Sequence, residues 1–254
     1  MRIIFVRHGE PDYARDTLTE KGKLQAAAVA ERLKDEGIEE IYASPMGRAQ
    51  LTASYTSKLL GLPVTTLDFM HEISWGGKPR DGVDADIPKY LEMASGKGEI
   101  HFENAIDIPE NGHPWTLGDR MLESGFDFFK DDWREHPYFK GNIATDFYDF
   151  VSGKFDEFLK ERGYTQEGNR FYCSAKENKT IAVFSHGGSG GCVLAKLLNL
   201  PFPYVAVVMP YEVTSVISVD IPFAPGNYVH GRLEIFNDVG HIKNIGTGLT
   251  IQSV

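Results

Sequence analysis

The sequence predicts an α/β protein, a three-layer α/β/α sandwich around a mostly parallel central sheet, with an inserted cap-like segment. Three observations carry this expectation. Short apolar runs rich in β-branched residues occur at residues 3–6, 38–43 and 180–184, as expected of strands buried on both faces. Helical patterns follow each of them. Between about residues 75 and 144 the rhythm breaks into Gly, Pro and aromatic clusters, which reads as an insertion within a single domain spanning residues 1–254.

The elements follow in order. Residues 3–6 form the first strand. Thr19 is placed to cap a helix over residues 19–34, with Glu20 in its first turn and Leu24, Ala27, Ala28 and Leu33 at roughly helical spacing. After the strand at 38–43, Pro45 suits the first helical position of a segment running over 46–60. Behind the insertion, Phe147, Phe150, Val151, Phe155, Phe158 and Leu159 make a stripe that predicts a core-facing helix. The strand at 180–184 leads to a helix from near Gly191 to Leu198, closed by Pro201, and residues 213–221 and 232–236 read as two more strands.

Composition excludes several classes. A formal net charge of −10 argues against nucleic-acid and anionic-membrane partners. No apolar run reaches the roughly 18 residues of a membrane span. The opening Arg2-Ile3-Ile4-Phe5-Val6 is too short for a signal peptide. Two cysteines, Cys173 and Cys192, make no disulfide framework, so a cytoplasmic location is expected. The negative field also sets a condition: an anionic ligand must be drawn in by a few placed arginines.

Phe5-Val6-Arg7-His8-Gly9 and Val183-Phe184-Ser185-His186-Gly187 resemble each other, each setting a histidine at the carboxyl end of a buried strand. Those ends are where ligands bind in open α/β sheets. A third strand end, Ser44-Pro45-Met46-Gly47-Arg48, adds Arg48 in the first turn of a helix. That helix start, and the one following the glycines at 187–191, offer N–H groups to an anion. Two arginines, two histidines and helix N-termini together imply a tetrahedral oxyanion. Each signal alone has a plainer reading: a structural histidine, or a surface ion pair for Arg7. The glycines after His186 are no P-loop, since no Gly-Lys-Ser/Thr follows. Neither histidine has a carboxylate or cysteine at ligand spacing, so no metal and no cofactor is expected.

In order and in spacing these motifs resemble the histidine phosphatase superfamily, also called phosphoglycerate mutase-like. Arg7-His8-Gly9-Glu10 with residues 18–26 is similar to its opening, residues 44–53 to its second motif, Ser185-His186-Gly187-Gly188 to its third, and Asn237-Asp238-Val239-Gly240-His241-Ile242 to a segment near its C-terminus. The likeness covers residues 1 to about 75 and 145 to 245.

The resemblance implies a small phosphate monoester as substrate and His8 as nucleophile, through a phosphohistidine. Arg7, Arg48 and His186 would cradle the phosphoryl oxygens, and the Gly187 N–H would add a donor. Glu72, after the second motif, would act as general acid and base, with His71 as its neighbouring competitor. Glu10 would orient Arg7, Ser44 would cap the following helix, and Asn237, Asp238 and His241 would brace the site from behind. Two other readings stay open. A phosphoglycerate mutase would return the phosphoryl group to substrate, but residues 11–16 are short and lack the mutases' Asn, and Ile73-Ser74-Trp75 replaces their basic residue and tyrosine, though Lys78 and Arg80 could supply charge. A silent phospho-ligand-binding module would usually have lost a pocket residue, and all four are present. The insertion leaves the core soon after Glu72, so it is expected near the site mouth. Of its Trp115, Phe126, Phe128, Phe129, Trp133 and Tyr138, most are expected to bury the insertion's own helices. The sequence gives no sign of oligomeric state.

Overall fold

The structure, a computed structural model, describes residues 1–72, 114–140 and 143–246. In chain order it holds β1 (Arg2–Arg7), the small hairpin β2 (Pro11–Asp12) and β3 (Thr17–Leu18), α1 (Glu20–Leu33), β4 (Glu40–Ala43), α2 (Gly47–Leu60) and β5 (Val64–Thr66). Then come α3 (Pro114–Glu123), α4 (Ile143–Glu161), β6 (Tyr164–Glu167), β7 (Arg170–Cys173), β8 (Thr180–Ser185), α5 (Gly187–Leu198), α6 (Phe202–Val208), β9 (Val216–Asp220), β10 (Tyr228–Val229) and β11 (Arg232–Asp238).

The central sheet has the order β11-β9-β1-β8-β4-β5. β1, β8, β4 and β5 run parallel, and β9 opposes both of its neighbours. The mostly parallel sheet flanked by helices is therefore the one the sequence predicts. Ile3, Ile4, Phe5 and Val6 on β1 are wholly buried, which is why that strand shows no polar alternation. Each such side chain contributes about 1.5–3 kcal/mol by burial. On one face Ile4, Val6, Ala182 and Phe184 pack with Val29 and Leu33 of α1 and Ala53 of α2. On the other, Tyr42 meets the ring of Phe158 edge-on at 5.1 Å between centroids.

Four local expectations are corrected. In α1 the buried side is Gly22, Gln25, Ala26, Val29, Ala30 and Leu33, while Leu24 is 61% exposed and Ala27 is exposed. Gln25 turns inward because its side chain accepts from the Glu10 N–H and donates to the Gly246 carbonyl, 2.7 Å each, so a polar residue holds a core position. α2 starts at Gly47, with Met46 as its cap rather than Pro45 at its first position. α5 starts at Gly187, four residues before Gly191: Gly188 and Ser189 give their N–H groups to Glu72, and a Cβ on Gly190 would lie 2.4 Å from Cε1 of Tyr211. β9 begins only at Val216, since Thr214 turns at φ 52° with its N–H on the Arg7 carbonyl.

The capping expectation for α1 holds, as Thr19 accepts from the Gly22 N–H. α5 is closed by Asn199 at φ 53°, with the Leu200 N–H on the Ala195 carbonyl, ahead of Pro201. Both cysteines are buried and unbridged. No single helix among the described residues is long and apolar enough to cross a membrane.

By contacts the chain divides into two units. The first comprises residues 1–72, 156–190 and 211 onward, and contains the central sheet. In the second, which includes residues 114–140, 143–155 and 191–210, Trp133 packs edge-on to Phe139 and Tyr148, and Tyr148 stacks on Phe202. Of the aromatics in the expected insertion, Phe128 and Trp133 are buried among neighbours of this unit, whereas Phe129 is 66% exposed. Residues 73–113 of that segment, with Trp75, Lys78 and Arg80, lie outside the described residues.

Candidate active site

The candidate site residues all come from the first unit: Arg7, His8, Arg48, His186 and Gly187 at the carboxyl ends of β1, β4 and β8, and Glu72 after β5. His8 follows β1 and donates its amide to the Ser185 carbonyl, 3.0 Å. Its ring is buried, and Nδ1 lies 2.7 Å from the Gly9 carbonyl. A carbonyl oxygen only accepts, so the ring proton sits on Nδ1 and the Nε2 lone pair is left free. Burial, then the charges of Arg7 and Arg48, hold the His8 pKa well below its usual 6.5, so the ring is neutral.

His186, following β8, is wholly buried, and its ring centroid stands 5.1 Å from that of His8. Its Nε2 shares a 2.7 Å hydrogen bond with the Ser44 hydroxyl, and its Nδ1 has no hydrogen-bond partner. Its pKa too is held well below the usual value, by burial first and then by His8 and Arg48. Ser44 also accepts from the Met46 N–H at 3.3 Å but does not cap α2, whose N-cap is Met46 without a side-chain bond; its contact with His186 replaces the capping role expected of it.

Arg7 donates through Nη1 to the Tyr211 carbonyl at 2.6 Å, and its Nε is buried without a partner. Arg48, 5% exposed in the first turn of α2, donates through Nη1 to Oδ1 of Asp16 at 2.6 Å and likewise leaves Nε unpartnered. The other oxygen of Asp16 accepts from the Gly47 N–H, also at 2.6 Å. The Gly9 amide is pinned to Thr52, whose hydroxyl bonds to the Arg48 carbonyl, and this ties the His8 turn to α2. Gly9 passes so close to α1 that a Cβ there would lie 2.6 Å from the Gly22 carbonyl oxygen.

Glu72 spans the start of α5, accepting from the Gly188 N–H at 2.8 Å and the Ser189 N–H at 3.2 Å. Gly187 is the first residue of that helix. Neighbouring His71 has its pKa lowered, chiefly by burial. Glu10 does not pair with Arg7; its carboxylate takes the Thr19 hydroxyl at 2.8 Å and Lys21 at 3.5 Å, bracing α1 instead. Asn237 accepts from the Glu212 N–H, next to the Tyr211 carbonyl that holds Arg7. Asp238 pairs with Arg32.

Sequence reasoning thus named the two histidines and two arginines that the fold brings to one place, and it named Glu72, which the structure sets against the start of α5. It missed Asp16, Thr52 and Tyr211. Asp16 carried no local signal, because the helix start it meets lies 31 residues further along the chain. Tyr211 acts through a carbonyl, which no side-chain pattern reports.

The strand ends of this open α/β sheet gather two imidazoles whose pKa values are held well below the usual one, the buried Arg48 and the half-buried Arg7. Comparison with known proteins agrees: residues 3–104 match the model of the histidine phosphatase superfamily (branch 1), bearing out the resemblance carried by the motifs. The chain is 32% identical over 130 residues to the probable phosphoglycerate mutase GpmB of Yersinia pestis (strain Pestoides F), covering 48% of this chain and 60% of that protein. The match therefore spans about 60% of the length of the curated relatives. Among solved structures, it is similar to a phosphoserine phosphatase from Entamoeba histolytica in complex with 3-phosphoglyceric acid, with TM-score 0.55, 21% identity and coverage of 95% of this chain and 98% of that one. A mycobacterial glucosyl-3-phosphoglycerate phosphatase gives TM-score 0.56 at 21% identity over 93% and 98% of the two chains. The alpha-ribazole phosphatase from Shigella flexneri gives 0.55 at 18% over 94% and 96%. At these identities the structures establish the fold, which is that of the histidine phosphatases, a superfamily with both phosphatases and mutases among this chain's neighbours.

Proposed function

We propose that this protein hydrolyses a small phosphate monoester through a phosphohistidine on His8. The observation that carries the reading is the Nδ1 contact of His8 with the Gly9 carbonyl, which leaves Nε2 unprotonated next to His186 and the two arginines. Nε2 attacks phosphorus as the bond to the leaving oxygen breaks, and Glu72 delivers a proton to that oxygen. Water then attacks the phosphohistidine, giving its proton to Glu72 and releasing inorganic phosphate and free His8. Arg7, Arg48 and His186 hold the phosphoryl oxygens throughout, with the Gly187 N–H as a further donor. No step calls for a metal.

A mutase reading is favoured by the name of the Yersinia relatives. In that case the phosphohistidine passes its phosphoryl group to a second hydroxyl rather than to water.

The test is hydrolysis of p-nitrophenyl phosphate by the wild type and by His8→Ala, with EDTA present. Turnover should survive EDTA and fall by about a thousandfold or more in the variant. Equal rates in both proteins would remove His8 from the chemistry. If phosphate release is slow but a phosphorylated enzyme passes its group to phosphoglycerate, the mutase reading stands instead.

A further inference from the structure

We propose that Asp16 is an internal anion that competes for the phosphate cradle and thereby selects among phosphate esters; this rests on the phosphatase reading above. Its two carboxylate oxygens each take one donor, Oδ1 from Arg48 and Oδ2 from the Gly47 N–H, both at 2.6 Å. A cation and a helix-start N–H side by side are the pair a phosphoryl group would use. Arg48 is 5% exposed, and Asp16 is its ion-pair partner among the described residues. A phosphoryl group that takes this pair, Nη1 of Arg48 with the Gly47 N–H, must therefore replace the carboxylate, and the guanidinium stays paired through the exchange.

The geometry permits that exchange. The Asp16 side chain is 43% exposed, so it can swing towards solvent without disturbing the core. Its backbone cannot follow, because the β2–β3 pairing of Pro11 with Leu18 and Asp12 with Thr17 fixes the turn at both ends. The displaced carboxylate thus remains at the rim beside Tyr13, whose exposed ring lies 5.4 Å from Arg48. There it repels a second negative group on the ester, so the favoured substrates carry no further anion close to the phosphate.

Calorimetric titration with inorganic phosphate, then with 3-phosphoglycerate, tests this on wild type, Asp16→Asn and Asp16→Gly. Asn removes the charge and tolerates the backbone at φ 47°, and Gly removes the side chain at the same φ. Both variants should bind inorganic phosphate about tenfold more tightly, with the gain larger for 3-phosphoglycerate. Unchanged or weaker phosphate binding would overturn the competition and leave Asp16 as a staple of the turn. Equal gains for the two ligands would overturn the selection against a second anion. If no protein of the set binds phosphate, the phosphatase reading itself falls, and this inference with it.

Discussion

Two imidazoles 5.1 Å apart, set among the side chains of Arg7 and Arg48, are both kept from carrying a proton in the folded state. Unfolded, each would take one up near pH 6.5. The unfolded chain therefore binds more protons than the folded chain below that pH, and stability falls as pH drops. Above about pH 6.5 neither state is protonated at these rings, and their contribution is fully present. Urea unfolding at pH 7.5 and at 5.5 should show a lower midpoint in acid, and a shallower dependence in His186→Gln; an unchanged slope in that variant would show that other groups set it. At this scale the candidate site was legible because His8, Arg7, Arg48 and His186 are side chains in recognisable motifs. Asp16 was not, since its role arises only where a turn folds back onto a helix start far along the chain.

The elements repeat the lesson with backbone in place of side chains. The strands were readable because burial on both faces leaves an apolar run, yet the start of α5 was set four residues late. Glycines usually break helices, and only the tertiary contacts with Glu72 and Tyr211 explain why these continue one. The same contrast separates two other helical glycines. A Cβ on Gly22 would stand 2.2 Å from the backbone oxygen of Glu10, so Gly22→Ala should cost about 1–3 kcal/mol. A Cβ on Gly153 would meet nothing within 4 Å beyond its own helix backbone, so Gly153→Ala should stabilise α4 by about 0.5–1 kcal/mol. Denaturant midpoints of the two variants should move in opposite directions, and a common direction would contradict the packing described for Gly22.

For the molecule as a whole, a net charge of −10 opposes the approach of a phosphate dianion, and Arg7 and Arg48 act only at short range. Salt should relieve the repulsion more than it weakens those contacts. The kcat/KM for p-nitrophenyl phosphate is thus expected to rise roughly twofold between low and physiological ionic strength; a fall would mean that the local cations dominate the encounter. The site also depends on connectivity. β1 lies beside β8 in parallel, Ile3 against Ile181 and Arg7 against Ser185, although most of the first unit and all of the second come between or after them in the chain. A parallel pair needs a crossover, and a crossover this long must be closed against chain entropy. During synthesis His8 emerges long before β8, so the parallel pairing that sets His186 beside it can form only after the later strand has left the ribosome. On the proposed mechanism, a nascent fragment ending before β8 lacks His186 and so holds an incomplete cradle.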